Sequence, residues 1–166
     1  MVKVRLYLVR HGKTMFNTIG RAQGWSDTPL TAEGERGIQE LGIGLRESGL
    51  QFERAYSSDS GRTIQTMGII LEELGLQGKI PYRMDKRIRE WCFGSFDGAY
   101  DGDLFMGIIP RIFNVDHVHQ LSYAELAEGL VEVDTAGWAE GWEKLSGRIK
   151  EGFEAIAKEM EEQGGG

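Results

Sequence analysis

The apolar run Leu6-Tyr7-Leu8-Val9 ends abruptly in Arg10-His11-Gly12. Such a run has the composition of a buried strand, and open α/β sheets bind ligands just beyond the carboxyl ends of their strands. A fixed cation and an imidazole are therefore delivered side by side to a position where such folds do chemistry. A guanidinium suits phosphate oxygens. An imidazole acts near neutral pH as nucleophile, base or metal ligand. Glycine at position 12 lets backbone or ligand approach closely. A second arginine, Arg62, lies in Ser58-Asp59-Ser60-Gly61-Arg62. That stretch opens a helix, and the unpaired N–H groups and dipole of a helix start favour an anion. Glu90, in Arg87-Ile88-Arg89-Glu90-Trp91, follows a third strand candidate and adds a carboxyl group for proton transfer. Three successive strand ends thus bring a nucleophile, two arginine forks and an acid, the set that chemistry on a phosphate dianion requires.

The elements that must position these groups follow from hydrophobic spacing and helix punctuation. Val4–Val9 reads as a strand. Thr31 caps a helix with acidic residues in its first turn; Ile38, Leu41 and Leu45 give it an apolar stripe, and Gly49 ends it. Phe52–Tyr56 is a short second strand. Ser57-Ser58-Asp59-Ser60 caps a second helix, with Ile64, Met67, Ile70, Leu71 and Leu74 on its buried side and Gly75 as its stop. Ile80–Met84 is a third strand. This β-α-β-α-β order predicts an α/β fold, a three-layer α/β/α sandwich around a mostly parallel sheet. Residues 93–135 break the rhythm without a clear period, so an insertion at about 99–135 is expected over the sheet edge and the active site. From Gly137 to about Glu162, Trp138, Trp142, Leu145, Ile149, Phe153, Ile156 and Met160 recur at helical spacing and read as core packing. The whole chain, 1–166, reads as one domain.

Composition excludes several classes. A chain of 166 residues with 40% hydrophobic residues suffices for a globular core. The net charge of -7 argues against a nucleic-acid partner, which needs a basic face. No apolar run has membrane-spanning length, and the first residues enter a strand instead of a signal peptide. The single cysteine, Cys92, rules out an internal disulfide and suits a reducing cytoplasm. Gly12-Lys13-Thr14 imitates the end of a phosphate-binding P-loop, but Tyr7 stands where that motif needs glycine. Gly42-Ile43-Gly44 lacks the third glycine of a dinucleotide fingerprint, and Gly98 stands where a cysteine-based phosphatase loop would place its arginine after Cys92. Asp116-His117-Val118-His119 offers two imidazoles without further ligands at a metal-binding spacing. No metal site is expected.

The ordered motifs resemble the histidine phosphatase superfamily, in its phosphoglycerate-mutase-like branch, over residues 4 to about 98. Leu8-Val9-Arg10-His11-Gly12-Lys13-Thr14 with Asn17 resembles its signature. So do Gln23-Gly24, Asp27-Thr28-Pro29-Leu30-Thr31-Ala32-Glu33-Gly34, and Tyr56-Ser57-Ser58-Asp59 with Arg62, Gln65 and Thr66. Arg89-Glu90 with Phe93-Gly94 and Asp97-Gly98 completes the run. The resemblance implies that His11 attacks phosphorus and becomes phosphohistidine. Arg10 and Arg62 would hold the phosphoryl oxygens, Asn17, Gln23 and Gly24 would line the substrate pocket, and Glu90 would protonate the leaving oxygen. It implies no cofactor, because arginines neutralise the phosphate. The partner would be a small phosphorylated substrate.

Two departures from the family pattern shape the expectation. The family carries a second catalytic histidine in a Ser-His-Gly-like segment on a later, central strand. This sequence holds only His11, His117 and His119, and neither of the last two has that context. The sequence is therefore expected to be a fragment lacking its C-terminal strands; as a complete molecule it is expected to have weak or absent activity and an open sheet edge that favours self-association. Second, mutases grip a phosphorylated three-carbon acid with basic residues after the Glu segment, whereas Gly98-Ala99-Tyr100-Asp101-Gly102-Asp103-Leu104-Phe105 has none. The resemblance then implies a phosphomonoester phosphatase, with mutase-type transfer or non-catalytic phosphate binding as the alternatives.

Overall fold

In the computed structural model, which describes residues 4–162, two units form from interleaved stretches of chain. The closing Gly164-Gly165-Gly166 lies outside the described residues.

The first unit contains the described residues up to Met15, Thr28–Ile88 and those from Ile149. Its longest internal helix, α2 (Ala32–Glu47), starts where the sequence predicts: Thr31 Oγ1 accepts the Gly34 N–H at 3.0 Å, with Glu33 and Glu35 in the first turn. It packs against α3 (Gly61–Glu73). Gly42 permits the close approach, because a Cβ there would press on the Glu73 side chain. α3 ends in a Schellman motif: Gly75, at φ +65°, donates to Glu72 O, and Leu76 N–H reaches back to Leu71 O. At its start, Ser60 occupies the cap position without a side-chain capping bond. Two strands, β1 (Ala55–Ser57) and β2 (Tyr82–Met84), pair in parallel with Ala55 opposite Tyr82. α3 is the crossover between them.

The first strand of the sequence reading is corrected. Residues 4–9 join no ladder among the described residues. Leu6, Tyr7, Leu8 and Val9 are 43%, 42%, 78% and 40% exposed. A strand exists only through a neighbour that takes up its N–H and C=O groups, and among the described residues no such pairing forms here. A cavity of about 730 Å³ is lined by this segment, by β1 and by apolar residues such as Met67, Ile70 and Ile156.

The second unit contains Phe16–Asp27 and Arg89–Arg148. Its first residues, Phe16–Thr18, lie in α1 (Met15–Thr18), a single turn. Main-chain bonds pair residues 20–22 with 98–101, including Ala22 N–H to Ala99 O at 2.8 Å. The expected irregular insertion is instead largely helical. A π-helical stretch, Gly102–Ile108, runs into α4 (Ile109–Phe113), and α5 (Tyr123–Val133) follows. Leu104, Ile109, Ala127 and Leu130 are fully buried there. Gly129 lets α5 pack against α4, since any Cβ would strike the Phe113 ring. The period was hidden because a π-helix does not repeat every 3.6 residues and α4 is too short to show one. The capping box Ser122-Tyr123-Ala124-Glu125 is the available signal for α5.

Asp134 ties this unit together. Its carboxylate accepts main-chain N–H groups of Ser95 (2.8 Å), Ala136 (3.0 Å), Trp138 (2.6 Å) and Ala139 (2.7 Å). Burial pushes its pKa up, but the hydrogen bonds from Ser95, Ala139 and Ala136 outweigh that and hold it well below the usual aspartate range. The folded value lies below the unfolded one, so the stabilisation is complete above the unfolded value, about 3.9. It is lost as pH falls through and below that point. Denaturant unfolding should show stability declining from about pH 5 to about pH 3, with Asp134→Asn less stable at neutral pH and flatter across that window. An unchanged slope in the variant would refute this.

The last helix, α6 (Trp142–Glu162), begins in the second unit and ends in the first. In the first unit its Glu159 binds both Arg54 (2.9 Å) and Arg83 (3.1 Å), fastening the helix to the chain entering β1 and to β2. No helix of the described residues is long and apolar enough to cross a membrane.

Candidate active site

Within the first unit, the segment after residue 9 is held against two helices. His11 is half-buried, and its Nδ1 lies 2.8 Å from Gly12 O. A carbonyl oxygen only accepts, so this contact needs the proton on Nδ1 and leaves the ring's lone pair on Nε2. The Gly12 N–H donates to Thr66 Oγ1 at 3.1 Å, and that hydroxyl donates to Arg62 O at 2.8 Å. One side chain thus joins the His11 loop to the first turn of α3. Gly12 has no room for a side chain, since a Cβ would lie 2.9 Å from both Gly34 O and Ile38 Cγ1. On the other side, Gly34 lets the start of α2 lie directly against Lys13.

Arg62 is 1% exposed and sits in the first turn of α3. Arg10 is exposed. Burial holds the Arg62 guanidinium in one place beside the positive end of a helix of 13 residues. Gln65, one of the motif residues, is structural: its Oε1 accepts Leu30 N–H (3.0 Å), and its Nε2 donates to Glu35 (2.7 Å).

Within the second unit, Gln23 and Gly24 are buried, Asn17 is exposed on α1, and Glu90 is exposed. Gly24 sits so close to Trp91 O that no side chain fits. Its N–H donates to Asp97 Oδ1 at 2.8 Å. The same oxygen accepts Ser26 N–H (3.0 Å) and Ser26 Oγ–H (2.9 Å), and Oδ2 accepts Phe93 N–H (3.0 Å). Asp97 therefore clamps the 24–26 loop to the segment after Glu90. Trp25 Nε1 donates to Glu90 O at 3.0 Å, while the Arg89 guanidinium stacks 4.6 Å from the Trp25 ring centre. The Glu90 carboxylate accepts Trp91 N–H at 2.9 Å.

The described residues thus bring Arg10, His11 and Arg62 onto one unit, and Gln23, Gly24 and Glu90 onto the other. Sequence reasoning missed Trp25 and the clamping role of Asp97; the Asp97-Gly98 pair was its only pointer. His117 and His119 are exposed on and beside the turn Val118–Gln120. Among the described residues, no three His, Cys, Asp or Glu side chains converge. Cys92 is buried, and burial pushes its thiol up, away from the reactive thiolate.

The profile of the histidine phosphatase superfamily (branch 1) matches residues 6–105. A 2,3-bisphosphoglycerate-dependent phosphoglycerate mutase of Treponema pallidum is 42% identical over 55 residues, which is 33% of this chain and 22% of the relative. Among solved structures, phosphoglycerate mutase from Bacillus anthracis superposes with a TM-score of 0.86 at 35% identity, covering 94% of this chain and 68% of its own. YhfR of Bacillus stearothermophilus superposes with a TM-score of 0.68 at 27% identity, covering 90% and 65%. The matched part of the curated relative is thus under a quarter of its length.

Proposed function

We propose, from the premise that this chain belongs to the histidine phosphatase superfamily (branch 1), that it hydrolyses a small phosphomonoester through a phosphohistidine on His11. The observation that carries this reading is the Nδ1 contact to Gly12 O at 2.8 Å, which puts the ring's proton on Nδ1 and its lone pair on Nε2. Nε2 forms a bond to phosphorus as the ester P–O bond breaks. Arg10 and Arg62 hold the phosphoryl oxygens while charge shifts between them. Glu90 gives its proton to the leaving oxygen and later takes one from the water that attacks the phosphohistidine. Two small barriers replace one large barrier. Asn17, Gln23 and Gly24 line the substrate pocket. A cytoplasmic setting belongs to the same proposal, supported by the single, buried Cys92.

A second reading, transfer between positions of a phosphoglycerate, is favoured by the likeness to the Bacillus anthracis mutase. The sequence 98–105, with no Lys or Arg, favours the phosphatase. The test is to incubate the full chain with an aryl phosphate and follow phosphate release together with an acid-labile phosphoryl group on His11 by mass spectrometry. Turnover without that modification would overturn the phosphohistidine. Transfer between phosphoglycerate positions, primed by a bisphosphorylated acid and faster than hydrolysis, would select the mutase.

A further inference from the structure

Behind the Glu90 segment, inside the second unit, lies a buried ion pair that the proposed chemistry does not use. Glu140 is fully buried, and the Arg148 side chain is 13% exposed. Arg148 donates from Nε to Glu140 Oε1 (2.8 Å) and from Nη2 to Oε2 (2.6 Å), a fork-to-fork pair. Apolar residues of similar volume often fill such a space with equal or greater stability. What they lack is directed donors, and here those donors point at one place. Arg148 Nη1 donates to Arg89 O (2.9 Å), and Nη2 donates to Glu90 O (3.2 Å). Glu140 completes the hold: its Oε2 accepts Cys92 N–H (3.1 Å), its main-chain N–H donates to Cys92 O (3.1 Å), and its carbonyl accepts Trp91 Nε1 (2.8 Å). Residues 89–92 are each fastened from behind, while the Glu90 side chain remains exposed.

We infer that Arg148, locked in orientation by Glu140, is the positioning residue for Glu90, fixing where its carboxyl presents a proton to the leaving oxygen. This rests on the reading of Glu90 as proton donor. Lysine carries the charge but not the planar fork, so Arg148→Lys removes the fork's bonds to both carbonyls and leaves Glu90 O to the Trp25 Nε1 donor. A misplacement of about 1 Å in a catalytic group costs on the order of 100-fold.

The experiment measures single-turnover phosphorylation of His11 in the full chain from two donors. One is an alkyl phosphate, whose leaving oxygen needs a proton. The other is a nitro-substituted aryl phosphate, whose leaving oxygen does not. Arg148→Lys should slow transfer from the alkyl phosphate by about 100-fold and leave the aryl phosphate nearly unchanged, the same pattern as Glu90→Gln. The double variant Glu140→Met/Arg148→Leu strands no buried charge and keeps the test valid if the single variant fails to fold; it should show the same selectivity. A folded variant that transfers from both donors at the wild-type rate, or loses both equally, overturns the positioning role. If Glu90→Gln itself leaves the alkyl phosphate untouched, the proton-donor reading has failed, whatever Arg148 does.

Discussion

His11→Ala is expected to fold and to lose phosphoryl transfer altogether, by a factor on the order of a million, the scale on which hydrolases lose rate with their nucleophile. The imidazole supplies the bond that divides the displacement into two steps, and His11 is the only histidine among the described residues of the first unit. The fold should survive because the ring contact on Nδ1 is to the adjacent carbonyl, Gly12 O, a local bond contributing about 1 kcal/mol. The anchor of the loop, Gly12 N–H to Thr66 Oγ1, is main-chain and is retained. Phosphate release from an aryl phosphate, measured beside a thermal melt, checks both halves. A folded variant with a tenth of the wild-type rate would remove His11 from the mechanism.

Arg62→Lys is the second large effect, a loss of about 100- to 1,000-fold in kcat, the cost of removing one preorganised donor to a developing anion. The substitution keeps the charge and discards the fork. Because Thr66 bonds the main-chain carbonyl of Arg62 and not its side chain, the tether to the His11 loop stays intact. The loss should therefore fall on the arginine's own contact with phosphate. Steady-state kinetics with an aryl phosphate, and inhibition by inorganic phosphate, report it. A lysine variant with unchanged kcat and phosphate affinity would show that residue 62 is a packing residue.

What was legible in the sequence was local. Thr31 and Gly75 mark helix ends through their own hydrogen bonds and backbone freedom, so α2 and α3 lie close to the expected residues. Arg62 was placed at a helix start from Ser58-Asp59-Ser60 alone, although the capping serine makes no side-chain bond. The strand expected at Val4–Val9 needed a partner elsewhere in the chain, which a single apolar run does not reveal. The helices between 99 and 135 were hidden by a π-turn and by shortness. In the site, His11, Arg62 and Glu90 stood out by residue type and spacing. Asp97, Trp25, Glu140 and Arg148 did not, because each acts on main-chain groups far away in sequence. Their bonds run from Asp97 to Gly24 and from Arg148 to Arg89, and no periodicity encodes such a bond.

The interleaving of the two units sets an order of events during synthesis. The second unit is chemically complete once Arg148, its final residue, has left the ribosome, and that residue locks the Glu90 segment. The first unit contains the earliest described residues yet waits for the end of α6, because Glu159 must arrive before Arg54 and Arg83 find their partner. Chains ordinarily fold from the N-terminus as they emerge. Here the first unit's early stretch gains its Glu159 partner only after the second unit has been made, and contacts of long sequence separation of this kind form slowly. The His11 loop is made before the second unit, but the Glu159 ion pairs of its own unit form only after residues 89–148 have been made.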